Sequence, residues 1–182
     1  MIGWIIGISI AVVVLWIILT YNALVRVRNQ VVNAWAQIDV QLKRRTDLIP
    51  NLIESVKGYM KHEKSVLTEV TKARTQMMSA QTPTEKAEAN NMLTGALKSL
   101  FAVSENYPDL KANQNFLQLQ EELVGTENKV AYSRQHYNDM VMRYNTKLEV
   151  FPTNLFAGAL KFEKRDSFEA ADADKEPVKV QF

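Results

Sequence analysis

The chain contains no cysteine, which excludes disulfides, thiolate nucleophiles and thiolate metal sites. Histidine is almost as scarce, and neither His62 nor His136 stands in a metal-binding spacing. A zinc-protease helix needs a second His four residues after His62-Glu63, and Val66 occupies that place. A di-iron bundle needs Glu three residues before each His, where Tyr59 and Ser133 stand. No glycine-rich phosphate loop is present, and Asp172-x-Asp174 has too few oxygen ligands nearby for a calcium loop. A net charge of +2 leaves no nucleic-acid footprint. Six glycines and five prolines in 182 residues leave few helix breakers. The expectation is a non-enzyme with no catalytic residues, no metal and no cofactor.

The other scarcity is charge at the start: none occurs before Arg26, and Ile2 to Leu19 is apolar apart from Gly3, Gly7 and Ser9. Eighteen helical residues span roughly 27 Å, close to the hydrocarbon thickness of a bilayer. Trp4 and Tyr21 stand near the two ends of this run, where an aromatic belt would lie. A cleaved signal peptide fits less well, because no basic start and no A-x-A site flank the run. Residues 1–25 are therefore expected to form a single-pass cell-membrane anchor. Arg26, Arg28, Lys43, Arg44 and Arg45 all follow it, so the positive-inside rule places the N-terminus outside and the rest in the cytoplasm. Gly3, Gly7 and Ala11, four apart, offer a face on which anchors can pack.

Beyond the anchor, Asn22 to Tyr59 carries an apolar stripe. Arg28, Trp35, Leu42, Ile49 and Val56 form one heptad row, and Val31, Ile38, Arg45, Leu52 and Tyr59 the other. The stripe keeps phase across Pro50, which predicts a kinked but continuous helix. Gly58 predicts its stop, although the same register continues through Val66, Val70, Ala73 and Met77, so one helix running to residue 80 is the alternative. With the stop, a second helix covers about Glu63 to Gln81. Thr82-Pro83-Thr84-Glu85 is a capping box that opens a third, to about Ser104. A fourth runs from about Leu110 to Leu148 on Phe116, Leu123, Val130, Tyr137 and Tyr144. The fold class expected is all-α: a transmembrane helix followed by an antiparallel up-and-down four-helix bundle over residues 26–150.

In that bundle, numbers paired between the first and fourth helices sum to about 173, from equal rise per residue. Trp35 then meets the neighbourhood of Asn138, Leu52 that of Glu121, and Arg44 or Arg45 pairs with Glu127. Arg44, Arg45, Asp47, Glu127 and Arg134 are read as a structural polar network, since a charge in a bundle core needs a partner. A polar pocket for a small ligand is the sharper alternative. Residues 151–182 are expected to be an amphipathic segment and a flexible tail. Phe151, Leu155, Phe156 and Phe162, among Lys161, Lys164 and Arg165, suit a membrane interface or else a cap on the bundle end.

Several motifs resemble the LemA family of bacterial membrane proteins. They are Tyr21-Asn22-x-Leu24-Val25, Ala34-Trp35-x-Gln37-Ile38-Asp39-Val40, Arg45-x-Asp47-Leu48-Ile49-Pro50-Asn51-Leu52, and Lys57-Gly58-Tyr59 with His62-Glu63. To these add Glu105-x-Tyr107-Pro108-x-Leu110-Lys111-Ala112-Asn113, Thr126-Glu127-Asn128, the pairs Tyr137-Asn138 and Tyr144-Asn145, and Phe151-Pro152-x-Asn154. The resemblance covers nearly the whole chain. It implies an N-terminal anchor, a cytoplasmic helical domain and no assigned molecular activity. A protein resembling this family acts in magnetosome membrane formation, which hints at membrane organisation. The family usually carries Gly-Phe near Leu160 to Phe162, where this chain has Leu160-Lys161-Phe162.

The function expected is a membrane-anchored helical scaffold that self-associates as a homo-oligomer. Its partners would be the lipid bilayer and unidentified membrane proteins, with no nucleic acid. The alternatives are a sensor or adaptor relaying a signal to a membrane enzyme and, behind it, an enzyme using bundle carboxylates.

Overall fold

The computed structural model describes residues 2–168; the part of the expected tail from 169 to 182 lies outside the described residues. All regular elements among the described residues are helices: α1 (Ile2–Lys57), α2 (Lys64–Ser79), α3 (Pro83–Ser104), α4 (Pro108–Lys111), α5 (Gln114–Glu149) and α6 (Asn154–Ala157).

The anchor and the first packed helix, expected as two segments, form one unbroken 56-residue rod. At 1.5 Å per residue it is about 84 Å long. Its first part is bare: the most apolar 18-residue window is long and apolar enough to cross a membrane, and none of it is buried by the rest of the chain. From Leu24 onward one side is buried, through Val27, Val31, Ala34, Ile38, Leu42, Arg45, Ile49, Leu52 and Val56. Arg28 and Trp35, expected on the stripe, are only half-buried, and Tyr59 is exposed. An α-helix of 3.6 residues per turn drifts against a strict seven-residue repeat, so the buried line moves to Val27 and Ala34.

Pro50 sits inside α1 without ending it. A proline gives up the hydrogen bond to the carbonyl four residues back, here that of buried Thr46. Arg74 Nε of α2 donates to that carbonyl at 3.1 Å, so the gap in one helix becomes an attachment point for another. α1 stops at Lys57, one residue before Gly58. The stop does not use a left-handed glycine, since no glycine has positive φ among the described residues. Instead the amides of Tyr59 and Met60 both donate to the Val56 carbonyl, at 3.0 and 2.9 Å, and tighten the last turn.

The α2–α3 turn is built by the capping box. Thr82 Oγ1 accepts from the Glu85 amide at 3.2 Å, and Glu85 Oε2 accepts from the Thr82 and Gln81 amides at 3.1 and 2.7 Å. α5 begins later than the expected Leu110. Asn113 Oδ1 caps it by accepting from the amides of Asn115 and Phe116, which leaves Pro108–Lys111 as a separate turn.

α1 packs along α5, and α2 along α3. Trp35 lies against Tyr137, Arg45 against Glu127, and Tyr59 against Asn113, so numbers rise along α1 as they fall along α5. The core is in two parts. The distal part joins Ile49, Leu52, Val56 and Met60 to residues of α2, α3 and the start of α5. The other, nearer the bare end, joins Leu24 to Leu42 with Val130 to Leu148, with Met77, Ala87 and Ala89 at the turn end of the α2–α3 hairpin, and with Ala157, Phe162 and Phe168. The α2–α3 hairpin covers the distal part and reaches only the adjoining end of the other. α2 has 16 residues, or about 24 Å, whereas α1 is packed from Leu24 to Lys57, about 50 Å. The hairpin's turn ends beside Asp39, where Lys86 forms an ion pair and also lies 5.5 Å from the Trp35 ring.

Candidate functional site

Between the two apolar parts lies the only charged side chain buried among the described residues. Arg45 is 3 % exposed, and its Nη1 donates to Asn90 Oδ1 at 2.6 Å and to Thr94 Oγ1 at 3.0 Å, both on α3. It also forms an ion pair with Glu127 of α5, whose side chain is 37 % exposed. Burial pulls the Arg45 guanidinium below its ordinary pKa, and the Glu127 charge and hydrogen bond oppose that. Three helices are tied at one point. Of the expected polar residues, the structure brings together Arg45 and Glu127. Arg44 reaches Glu122 at 3.9 Å instead, and Asp47 pairs with Lys43 on its own helix at 3.4 Å. Arg134 is half-buried, seven residues along α5 from Glu127. Asn90 and Thr94 were not anticipated. Their signal was their spacing of four on α3, with Asn90 beside the core positions Ala89 and Leu93.

No group of three or more His, Asp or Glu side chains gathers as a metal site would need, among the described residues. What does converge is the C-terminal segment onto the α1–α5 pair. The turn after α5 leaves Phe151 (78 %) and Leu155 exposed, while Phe156 lies edge-on to Trp16, ring centroids 5.8 Å apart. Trp16 belongs to the apolar part of α1, so these side chains stand level with the end of the anchor-like run. Phe162 departs from the expected interfacial set. It is buried, 5.6 Å from the Tyr21 ring, with the Arg28 guanidinium 5.3 Å from its own. Trp4, Gly3 and Gly7 lie free on the bare helix; a Cβ on either glycine would meet nothing within 4 Å.

After Phe162 the chain was expected to be loose. Through Phe168 it is held. Asn145 clasps the main chain of Arg165, its Nδ2 donating to the carbonyl at 2.9 Å and its Oδ1 accepting from the amide at 3.0 Å. Asn138 clasps Phe168 in the same two-bond way, at 3.0 and 2.9 Å. Between them Tyr137 Oη donates to the Asp166 carbonyl at 2.9 Å. The fit follows from repeat lengths. Seven residues of helix advance about 10.5 Å, and three residues of extended chain about 10 Å. Phe168 is completely buried, its ring 6.0 Å from that of Trp35. Burial raises the pKa of Tyr137 and Tyr144; nearby Arg165 partly offsets this in both. This strap was missed because its signal lies in hydrogen-bonding residues, the Tyr-Asn pairs seven apart, rather than in apolar periodicity.

The strap is reached through Lys161, at φ 57, a left-handed conformation that lysine rarely adopts.

The chain matches known proteins over most of its length. The chain is 29 % identical over 161 residues to Protein LemA of Metamycoplasma hominis, covering 86 % of this chain and 72 % of the relative. It is 22 % identical over 196 aligned residues to Magnetosome protein MamQ 2 of Paramagnetospirillum magneticum, and 20 % to Magnetosome protein MamQ of Magnetospirillum gryphiswaldense. Each of these matches covers 93 % of this chain and 72 % of the relative. Residues 34–182, which include the Arg45–Glu127 pair and both Tyr-Asn clasps, match the family profile, and the chain belongs to the LemA family.

Proposed function

We propose that the protein is a non-enzymatic, membrane-anchored helical scaffold that self-associates and organises membrane-protein partners. The observation that carries this reading is α1 itself: one helix has no buried residue in its apolar first part and is packed over the rest. The exposed Phe151 and Leu155, with Phe156 against Trp16, then meet the bilayer surface where the helix enters it. The opposed numbering along α1 and α5 supports an antiparallel up-and-down arrangement of α1, α2, α3 and α5. Arg26 and Arg28 support an N-terminus outside and residues from about 26 onward in the cytoplasm. The relatives named as magnetosome proteins support a role in membrane organisation.

Reporter fusions after Phe182 test the orientation, and labelling of the tail by an impermeant reagent from outside would refute it. Oligomer size in mild detergent tests self-association. If Gly3 and Gly7 form a packing face, Gly7→Ile weakens the oligomer and leaves the helical signal intact.

The unbroken α1 also supports a second reading, an adaptor that passes a signal rigidly from membrane to helical body. Stoichiometric co-purification of one membrane enzyme would favour it over the scaffold.

A further inference from the structure

We propose that the α1–α5 groove is a docking site for an extended peptide, and that its occupant in trans is segment 162–168 of a second copy of this chain. This rests on the self-association reading and names its surface. Four of the five strap hydrogen bonds come from Asn138 and Asn145, and all five engage main-chain groups, so the groove recognises an extended backbone. Two side chains supply specificity. Phe162 fills the site beside Tyr21 and Arg28, and Phe168 the site beside Trp35 and Tyr137. Residues 163–167 are exposed and contribute no buried side chain, so the segment is an insert and not part of the helical core.

The connector favours exchange. Lys161 is in the left-handed region, within a turn closed by its own amide on the Gly158 carbonyl and by the Phe162 amide on the Ala157 carbonyl, both at 3.0 Å. In cis the chain must keep that conformation to turn back onto its own α5. In trans the connector opens, the strain is released, and every groove contact is reproduced on the neighbour, which is the low-cost route to a swapped dimer. Anchoring copies in one membrane raises their local concentration and offsets the advantage of the tethered cis segment.

The test uses full-length chain in detergent micelles, with two differently tagged variants. One ends after Lys161 and keeps the clasp. The other carries Asn138→Ala and Asn145→Ala and keeps the segment. Mixed, they pair at least about tenfold more tightly than two truncated copies do. A synthetic peptide of residues 162–168 competes for the truncated copy, and Lys161→Gly, which relieves the turn, lowers pairing of the otherwise unaltered chain. If truncation disturbs folding, judged by helical signal, a Phe162→Ala, Phe168→Ala copy takes its place. No mixed pairing while the unaltered chain still forms oligomers overturns exchange and leaves self-association to another surface. A monomeric unaltered chain overturns both. Peptide binding to the truncated copy without pairing of chains overturns the second copy as occupant and leaves the groove to the chain's own segment.

Discussion

The α1–α5 pair is covered in two different ways along its length. At the distal end a hairpin of helices, α2 and α3, lies on it and contributes Val70, Ala73, Leu93, Ala96, Leu97 and Leu100 to a continuous apolar core. Nearer the anchor-like run, past the hairpin's turn with its Met77, Ala87 and Ala89, the same pair is covered by a turn and an extended strap that bring in three buried apolar side chains, Ala157, Phe162 and Phe168. The first cover is attached by area, the second by hydrogen bonds to main chain and two aromatic anchors. The expectation is that the first end unfolds only with the whole body and that the strap opens by itself. Arg45, with Asn90, Thr94 and Glu127, stands at the boundary.

The comparison breaks most visibly at Phe116. It is 1 % exposed and edge-on to Phe101 in the distal core, where truncation leaves a cavity that rigid helices cannot close. Phe116→Ala should cost about 4 kcal/mol in denaturant unfolding of the full chain. A loss near 1 would mean that the distal end is as loosely held as the strap.

At the boundary, Glu127→Ala should cost about 2–3 kcal/mol, because it leaves the buried Arg45 charge with only the neutral acceptors of Asn90 and Thr94. Glu127→Gln, which keeps an acceptor, should cost less. Equal losses for the two would show that packing, and not charge, is what the position supplies.

Phe168→Ala should cost only about 1–2 kcal/mol in global unfolding, even though Phe168 is as buried as Phe116. A residue on a detachable segment cannot contribute more than the docking of that segment. The loss should appear locally, as faster hydrogen exchange at the clasped amides of Arg165 and Phe168 with the core unchanged. Alkaline pH should release the same strap. Burial raises the pKa of Tyr137 and Tyr144 above the ordinary tyrosine value, so the docked state holds their protons more tightly than the free chain does. The stabilisation is complete below pH 10 or so and is lost as pH rises through the raised values. Tyrosinate absorbance and strap exchange should change together there, and Tyr137→Phe should remove much of the coupling.

What was legible in the chain follows the same division. The Thr82–Glu85 box and the level of Arg45 with Glu127 are legible because they depend on local chemistry or on counting equal rises along paired helices; the end of α1 falls where Gly58 suggests, but not through the left-handed glycine that suggested it. The shift of the stripe to Val27 and Ala34 was not, since a heptad count ignores the drift of an ideal helix against a seven-residue repeat. Asn90 was not, because one polar residue in an apolar row carries no sign of its partner. The strap was not, because residues 163–168 have the charged, weakly apolar composition of loose chain, and what orders them is a pair of amides on another element. Arg44 and Asp47 were grouped by nearness in sequence, but they point to Glu122 and Lys43 from the exposed side of α1.

The smallest effect concerns Pro50, and it separates a proline that is tolerated from one that is used. The Thr46 carbonyl, freed by the missing amide, is buried and accepts from Arg74 Nε across the α1–α2 contact. Arg74→Ala leaves that carbonyl without its donor and should destabilise the protein by about 1 kcal/mol. Pro50→Ala restores an amide at the position that can bond Thr46 within α1, so the carbonyl no longer needs α2. In that background Arg74→Ala should cost measurably less, and the double-mutant cycle should give a coupling of at least about 0.5 kcal/mol between residues on different helices. Additive losses would show that Arg74 stabilises the distal end only through the packing of its stem, and that the proline and the α2 attachment are independent features of the fold.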